Sequence, residues 1–431
     1  MSGQSGKLKI IITAEPLENG AGLAMFLLDS VALLSQAKPD WQFTLLVLSG
    51  FSDAAHLDEL PNVRVIFCDR QGWRRALSRL LPAFRGRDRL FNFLAERSPA
   101  GFLKKQFGSL EETWKNLAPY DAVWVPHFAI SQNRWPALYQ PGTIKSPVLL
   151  TIHDLHPAVF PEEWKSRPQM LDNFWHTFRP FAQKAEAIIT HSNFQKEDIA
   201  RHFSIPPQKI SVAYLPLPMN ELLTRDYDEK ETREVLTELK IIRPYIFCPM
   251  SQITAHKNHL RTIEAWGTVI GSLGDKAPQL VFTAAGRPEH QRMFAEEIGK
   301  RGLAGRAIFT GTVSREKLAV LYRSCQALLS PTLYEGGGSG PVMEAVTAGR
   351  PVLCSDIPPI REQMTRFGLS AIYFDPGQPE DIARAVTDLM SGRTPAPIND
   401  PRNIRQRLPG DREELARAYT EAFLRITGNL Q

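Results

Sequence analysis

The sequence predicts an α/β protein of two domains, each a mostly parallel sheet covered by helices, facing one another across a central cleft. Three observations carry that expectation. Short β-branched runs alternate with segments of helical period, the alternation stops once in a charged stretch and then restarts, and 431 residues are enough for two cores of about 200 residues each.

The first domain, expected over 1–218, opens with the strand run LKIIIT and the helical pattern AMFLLDSVALLSQ, followed by the runs FTLLVLS, VRVIF, AVWVP, VLLTI, AIIT and ISVAY. In MSGQSGKLKIIITAEP a short apolar run meets acidic and turn residues at once, which reads as a first strand rather than a signal peptide. GLAMFLLDSVALL is interrupted by Asp29 and is too short to cross a bilayer as a helix, which takes about 20 residues. The boundary is expected near 216–230, where YLPLPMNELL gives way to charge. The second domain, expected over 231–405, then runs through YIFCP, HLRTIEAWGTVIG, QLVFTAAG, PEHQRMFAEEIGKRG, AIFTG, SREKLAVLYRS, ALLS, PVMEAVTAG and PVLCS. A last segment, 406–431, holds the helical pattern DREELARAYTEAFLRI after the break PAPINDPRN and is free to pack back on either domain.

Composition narrows the function classes. Cys68, Cys248, Cys325 and Cys354 form no CxxC pair, so neither a structural zinc site nor a disulfide framework is expected, and a reducing cytoplasm fits. The net charge of +5 is mild, but basic residues crowd into 68–118, where GWRRALSRLLPAFRGRDRLFNFLAER interleaves arginines with large apolar side chains. That insert reads either as a solvated basic face or as a patch for anionic lipid or an anionic acceptor. No nucleic-acid reader motif accompanies it.

The chemistry is expected on loops that follow strands, because open parallel sheets bind ligands beyond their carboxyl ends. After ALLS comes PTLYEGGGSGPVMEAVTAG, a strand, a loop of four glycines and a helix start at Pro341. Free amides and a partial positive charge at that helix start suit a phosphate, with Gly336, Gly337, Gly338 and Gly340 giving it access and Ser339 beside them in the donor-binding loop. Such a loop also serves as a plain connection. Two carboxylates near a phosphate site are costly unless they bind something else, and sugar hydroxyls are such partners for Glu335 and Glu344. Glu344 has a second reading as a helix-dipole partner, worth roughly 0.3–1 kcal/mol.

This loop, read with GTVSREKLAVLYRSCQALLSPTLYEGGGSGPVMEAVTAGRPVLCSDIPPIRE, resembles the retaining glycosyltransferases of group 1, or family four, which have two Rossmann-like domains in the GT-B arrangement. DAVWVPHF, PVLLTIHDLHPAVFPEEW, KAEAIITHSNFQKEDIARHFSIPPQKISV and ITAHKNHL look like successive blocks of the same family. The resemblance implies transfer of a sugar from a nucleotide diphosphate donor to a hydroxyl, with retention of anomeric configuration. It assigns Lys257 to the donor diphosphate, Gly311 to Val313 to the base, Glu344 to the ribose and Glu335 to the transferred sugar. His153 matches a histidine near the reacting sugar, and Gly20 and Gly22 match a glycine loop near diphosphate and acceptor. Each has a plainer reading: His153 with Asp154 as a strand cap, Lys257 as an exposed lysine, Gly20 and Gly22 as a simple helix start.

This sequence departs from the family at several points. Eight residues separate the two acids where seven are usual, Ser251 and Gln252 stand near the place of an arginine, Asn19 replaces a glycine, and Asn193 stands where an acid is common. No metal or other cofactor is implied, and Asp226-Tyr227-Asp228 is read as solvated surface. The TIHDL block points to GDP-mannose as the first donor guess and to surface-polysaccharide or lipopolysaccharide assembly. The expected partners are that donor and a hydroxyl acceptor, with a lipid-linked saccharide at the inner face of the membrane as one form of that acceptor. A nucleotide-sugar sensor without turnover and an epimerase or phosphorylase on the same fold are the rival readings.

Overall fold

The structure, a computed structural model, describes residues 7–14, 21–47, 57–68, 113–114, 117, 119–128, 143–216, 221–285, 288–397 and 399–429. Thirteen strands among these residues form two wholly parallel sheets. The first contains β1 (Lys9–Thr13), β2 (Gln42–Val47), β3 (Val63–Phe67), β4 (Ala122–Val125), β5 (Val148–Thr151), β6 (Ala187–Thr190) and β7 (Ile210–Val212), in the order β3-β2-β1-β4-β5-β6-β7. The second contains β8 (Tyr245–Gln252), β9 (Gln279–Ala285), β10 (Ala307–Phe309), β11 (Ala327–Ser330), β12 (Val352–Ser355) and β13 (Ile372–Phe374), in the order β10-β9-β8-β11-β12-β13. The fold class is therefore the expected one, two Rossmann-like α/β domains.

Residue alternation along the strands explains the layers, since successive side chains point to opposite faces. Ile10 and Ile12 of β1, Leu45 of β2, Trp124 of β4 and Ile189 of β6 enter one core, whereas Ile11, Leu46, Val123 and Ile188 enter the core on the other face. The second sheet divides likewise, with Phe247 and Leu328 on one side and Ile246, Cys248 and Leu329 on the other. Both faces are covered, which is why these strands read as continuous apolar runs.

The covering helices include α1 (Ala21–Ala37), α2 (Asn193–Phe203), α3 (Glu229–Glu238), α4 (His259–Leu273), α5 (Pro288–Lys300), α6 (Arg315–Ser324), α7 (Gly340–Thr347), α8 (Pro358–Arg366), α9 (Pro379–Met390) and α10 (Pro401–Ile426). The charged mid-chain stretch folds as α3, capped by the Asp228 carboxylate, which accepts from the Glu231 amide. Asp226 pairs with Arg323 of α6, so both acids of Asp226-Tyr227-Asp228 have partners within the second domain.

The last helix, α10, starts at Pro401, inside the stretch that reads as a break, because proline suits a first helical turn. Leu415, Tyr419 and Phe423 lie at i, i+4 spacing and enter the core of the first sheet beside Trp41 and Trp124. The Tyr419 hydroxyl is 3.0 Å from Thr151 Oγ1, which also accepts from Trp124 Nε1. The chain thus returns to its first domain after completing the second. No helix among the described residues is long and apolar enough to cross a membrane.

Candidate functional site

In each sheet the strand order reverses direction at one place, between β1 and β4 and between β8 and β11. Crevices at such points are where doubly wound sheets bind ligands. The loops after β5 of the first sheet and after β8 and β11 of the second carry most of the sequence-predicted residues, and the loops after β4 and β6 add His127 and His191.

Lys257 follows β8 in the short turn Ala255–Lys257, and Glu335 follows β11. Lys257 Nζ donates to Glu335 Oε1 at 2.7 Å, with both side chains about one-fifth exposed. Asn258, in the left-handed conformation at φ 62°, turns the chain into α4 and donates from Nδ2 to the carbonyls of Pro331 and Pro376. The Leu333 amide donates to the His256 carbonyl at 2.7 Å. These bonds tie the Lys257 turn to the Glu335 loop.

Helix α7 begins at Gly340 with Pro341 in its first turn, and Ser339 is the N-cap, its hydroxyl accepting from the Val342 amide. Glu344 lies one turn in, nearly buried, and accepts from the Tyr322 hydroxyl at 2.5 Å. Burial pushes the Glu344 carboxyl up, and the hydrogen bond from Tyr322 pulls it partly back. Val313 is half-buried against the core of the second domain, just beyond Gly311 at φ 72°.

The glycines do different work from one another. A Cβ on Gly336 would land on the His153 carbonyl oxygen, and one on Gly337 would land on His191 Cβ. A Cβ on Gly338, at φ 95°, would land on the Gln363 amide, whose oxygen accepts from the Ser339 amide. Only Gly340 of the four has open space around its missing Cβ. Three bare positions are thus explained by close approach of protein to protein, two of them across the domain boundary. Gly22 lies exposed in the first turn of α1, also with open space. Gly20 and nearly all of the basic insert 68–118 lie outside the described residues.

His153 follows β5 and His191 follows β6. Phe26 of α1 sits edge-on to both rings, and the ring of His127, after β4, is 5.9 Å from that of His153. Burial pulls His127 and His191 down to about 4 and His153 well below its ordinary value. All three are uncharged at neutral pH.

Several residues that the sequence did not single out hold the two domains together. Tyr334 donates to Gln195 Oε1 at 3.0 Å while accepting from the Leu155 amide at 3.0 Å. Ser192 donates to the Gly336 carbonyl. Glu362 of α8 accepts from the amides of Asn193 and Phe194 at the start of α2, and from Tyr214. Asn193 stands where the family commonly has an acid, and here an acid arrives from the other domain. Reciprocally, Glu163 of the first domain accepts from the Ala255 and His256 amides of the second at 3.2 and 3.0 Å. A run rich in acids, PEEW, was the only local signal for Glu163, and nothing local marked Glu362.

His156, Glu163 and His256 bring potential metal ligands within 4.8 Å of one another. At His156 a proton stands where a metal would bind. Trp164 Nε1, which only donates, bonds His156 Nδ1 at 3.2 Å, so the neutral ring carries its proton on Nε2, the atom that faces Glu163. A ligand nitrogen must present a lone pair there, and this one presents N–H.

The chain matches two family profiles, one described as "Glycosyl transferases group 1" over residues 235–407 and one as "Glycosyltransferase Family 4" over 54–220. It is similar to the O-antigen chain mannosyltransferase RfbU of Salmonella typhimurium, 23% identical over 243 residues that make up 56% of this chain and 60% of that protein. It is also similar to O-antigen chain mannosyltransferase B of Escherichia coli, 24% identical over 382 residues, 87% of this chain and 89% of that one. Among solved structures, the Anabaena protein HepE in complex with UDP and glucose superposes with a TM-score of 0.63 at 13% identity, covering 96% of this chain and 100% of that one. Sucrose-phosphate synthase from Thermosynechococcus elongatus gives a TM-score of 0.60 at 16% identity, with 97% of each chain covered. At these identities the structural likeness speaks for the fold alone.

Proposed function

The chain belongs to the group 1 glycosyltransferases, and from that premise we propose that it moves mannose from GDP-mannose to a hydroxyl acceptor with retention, in surface-polysaccharide or lipopolysaccharide assembly. The observation that carries this reading is the Lys257–Glu335 pair at the crevice between β8 and β11, a few residues from the start of α7. A cation and a helix start together suit a diphosphate whose charge grows as it leaves, and a carboxylate beside them suits the sugar hydroxyls. The names of two relatives, both O-antigen chain mannosyltransferases, support the choice of mannose.

In this reading Lys257 and the first amides of α7 receive the departing diphosphate, Glu344 accepts from the ribose, and the backbone near Val313 supports the base. Glu335 and His153 orient the sugar. Gly22, with Gly20, admits the diphosphate and acceptor from the first domain. The leaving diphosphate itself assists the incoming hydroxyl, so Glu335 forms no covalent bond to the sugar. Charge on the leaving group is met by the chain's own donors without a metal ion.

Incubation of the purified protein with GDP-mannose, alone and with lipid-linked saccharide acceptors, tests the proposal. GDP release that survives EDTA, and an α-linked product from the α-linked donor, are expected. Release from UDP-sugars but not from GDP-mannose would overturn the donor, an inverted product would overturn retention, and nucleotide binding without any release would favour a sensor.

A further inference from the structure

The rings of His153 and His191 lie end to end between two carbonyl groups. His153 Nε2 is 2.8 Å from the Pro126 oxygen, His153 Nδ1 is 3.0 Å from His191 Nε2, and His191 Nδ1 is 2.9 Å from the Ala213 oxygen. A carbonyl oxygen only accepts, so each outer contact requires a ring N–H, and the contact between the rings requires a proton of its own. Two neutral imidazoles bring two protons to three contacts. With both outer bonds made, two lone pairs face each other. One added proton between the rings completes the chain and gives the pair a single positive charge.

In the cleft without ligand, burial holds that proton off, since His191 is only 1% exposed and is pulled down to about 4. Among the described residues, the groups around the pair do little to hold a charge there. His127, after β4, is itself pulled down by burial, and the Asp154 carboxylate acts on His127. Helix α1 brings the uncharged Phe26 against both rings, Tyr214 beyond β7 is bonded to Glu362, and Glu335 of the glycine loop is bonded to Lys257. The pair nevertheless lies directly beneath the loop that leads into α7. Gly337 packs on His191, Gly336 packs on the His153 carbonyl, and Ser192 bonds the Gly336 oxygen. An anion at the start of α7 acts on the pair from within a few residues of that contact.

We infer that His191 is a positioning residue for the proposed reaction: it shares with His153 one proton that is taken up when a nucleotide diphosphate occupies the cleft, fixing the His153 ring between the Pro126 carbonyl and His191. This inference rests on the proposed donor site. In the sequence, His191 is only one residue of the block AIITHSNF, and its partner lies 38 positions away.

Calorimetric titration with GDP and with UDP at pH 6, in buffers of different ionisation enthalpy, counts the protons exchanged on binding. Any proton that a diol drives off the Glu344 carboxyl leaves equally in wild type and in His191→Asn. The expected difference between the two is therefore about one proton per nucleotide, taken up only by the wild type. Equal proton numbers would overturn the inference and leave the donor site standing, whereas failure of both nucleotides to bind would bring down both. Nitrogen-15 histidine spectra of the wild type give an answer independent of how the variant folds. With GDP bound, one shared N–H between two rings is expected, and two rings that stay neutral in saturating GDP would overturn the inference.

Discussion

Glu335 and Glu344 both lie near the start of α7, yet their surroundings assign them different work. Glu335 is paired with Lys257 at the crevice, whereas Glu344 is set into the wall under the Tyr322 hydroxyl. Glu335→Gln is expected to lower turnover about 100-fold with little change in GDP affinity, the pattern of a contact made mainly during reaction. Glu344→Ala is expected to weaken GDP binding about tenfold, roughly 1.4 kcal/mol. Titration and initial rates on the same preparations separate the two, and equal mild effects would refute the division. Glu344 also sets a pH dependence. Its folded-state value is raised, so the carboxyl form favours the unliganded fold, and stability from this group is lost as pH rises through that value. A ribose diol favours the carboxylate, so GDP affinity through Glu344 rises as pH rises through the same range. Tyr322→Phe removes a bond to the charged form, moving this rise to higher pH, and Glu344→Gln abolishes it. Binding curves of these variants between pH 4 and 8 show either outcome directly.

At the scale of elements, the glycine loop acts as a seat for one domain on the other as much as a ligand loop. Gly336→Ala and Gly337→Ala push a methyl into His153 and His191, and overpacking of this kind costs about 1–3 kcal/mol where the neighbours give little. Gly340→Ala meets nothing within 4 Å and is expected to leave thermal stability unchanged. Comparing melting temperatures and turnover for the three variants tests the contrast; a Gly340→Ala protein as impaired as the other two would show that the loop's function lies elsewhere. The extra residue between Glu335 and Glu344 has a structural use here, since three successive glycines each meet a different neighbour. The strands from β1 to β12 were legible because β-branched apolar runs bounded by turns can do little else. Strand β13 and helices α8 and α9 were passed over, and α3 read as linker because its charge hides a capped helix with few apolar positions. The start of α10 was hidden for another reason: prolines read as a break also fit a first helical turn. Within the site, Glu335, Glu344 and the glycines were visible because their spacing is local, whereas Lys257, 78 positions from Glu335, was visible only through the family resemblance. Glu163, Glu362 and His191 were not visible, since their partners are 92, 169 and 38 positions distant and no local pattern encodes such contacts.

At the scale of the whole molecule, the domains exchange carboxylates. Glu163 of the first domain holds the Ala255 and His256 amides beside Lys257, and Glu362 of the second holds the Asn193 and Phe194 amides at the start of α2, two positions after His191. Each acid meets free amides at the start of a helical turn, where negative charge is favoured, and each bond exists only while the cleft is closed. Closure therefore depends on the same two turns that carry the site's chemistry, so a domain that swings away releases the Lys257 turn as it goes. Replacing either acid by glutamine weakens charge-assisted bonds to ones between neutral groups, and replacing both removes that advantage from both sides of the cleft. Glu163→Gln with Glu362→Gln is expected to shift the unliganded protein toward an open arrangement, seen as a larger radius of gyration by small-angle X-ray scattering. Saturating GDP is expected to restore the compact form, at a Kd about tenfold weaker or more, because binding must then supply the closure that the carboxylates supplied. Unchanged scattering in the double variant would mean that Tyr334, Gln195 and the glycine seat hold the cleft shut by themselves.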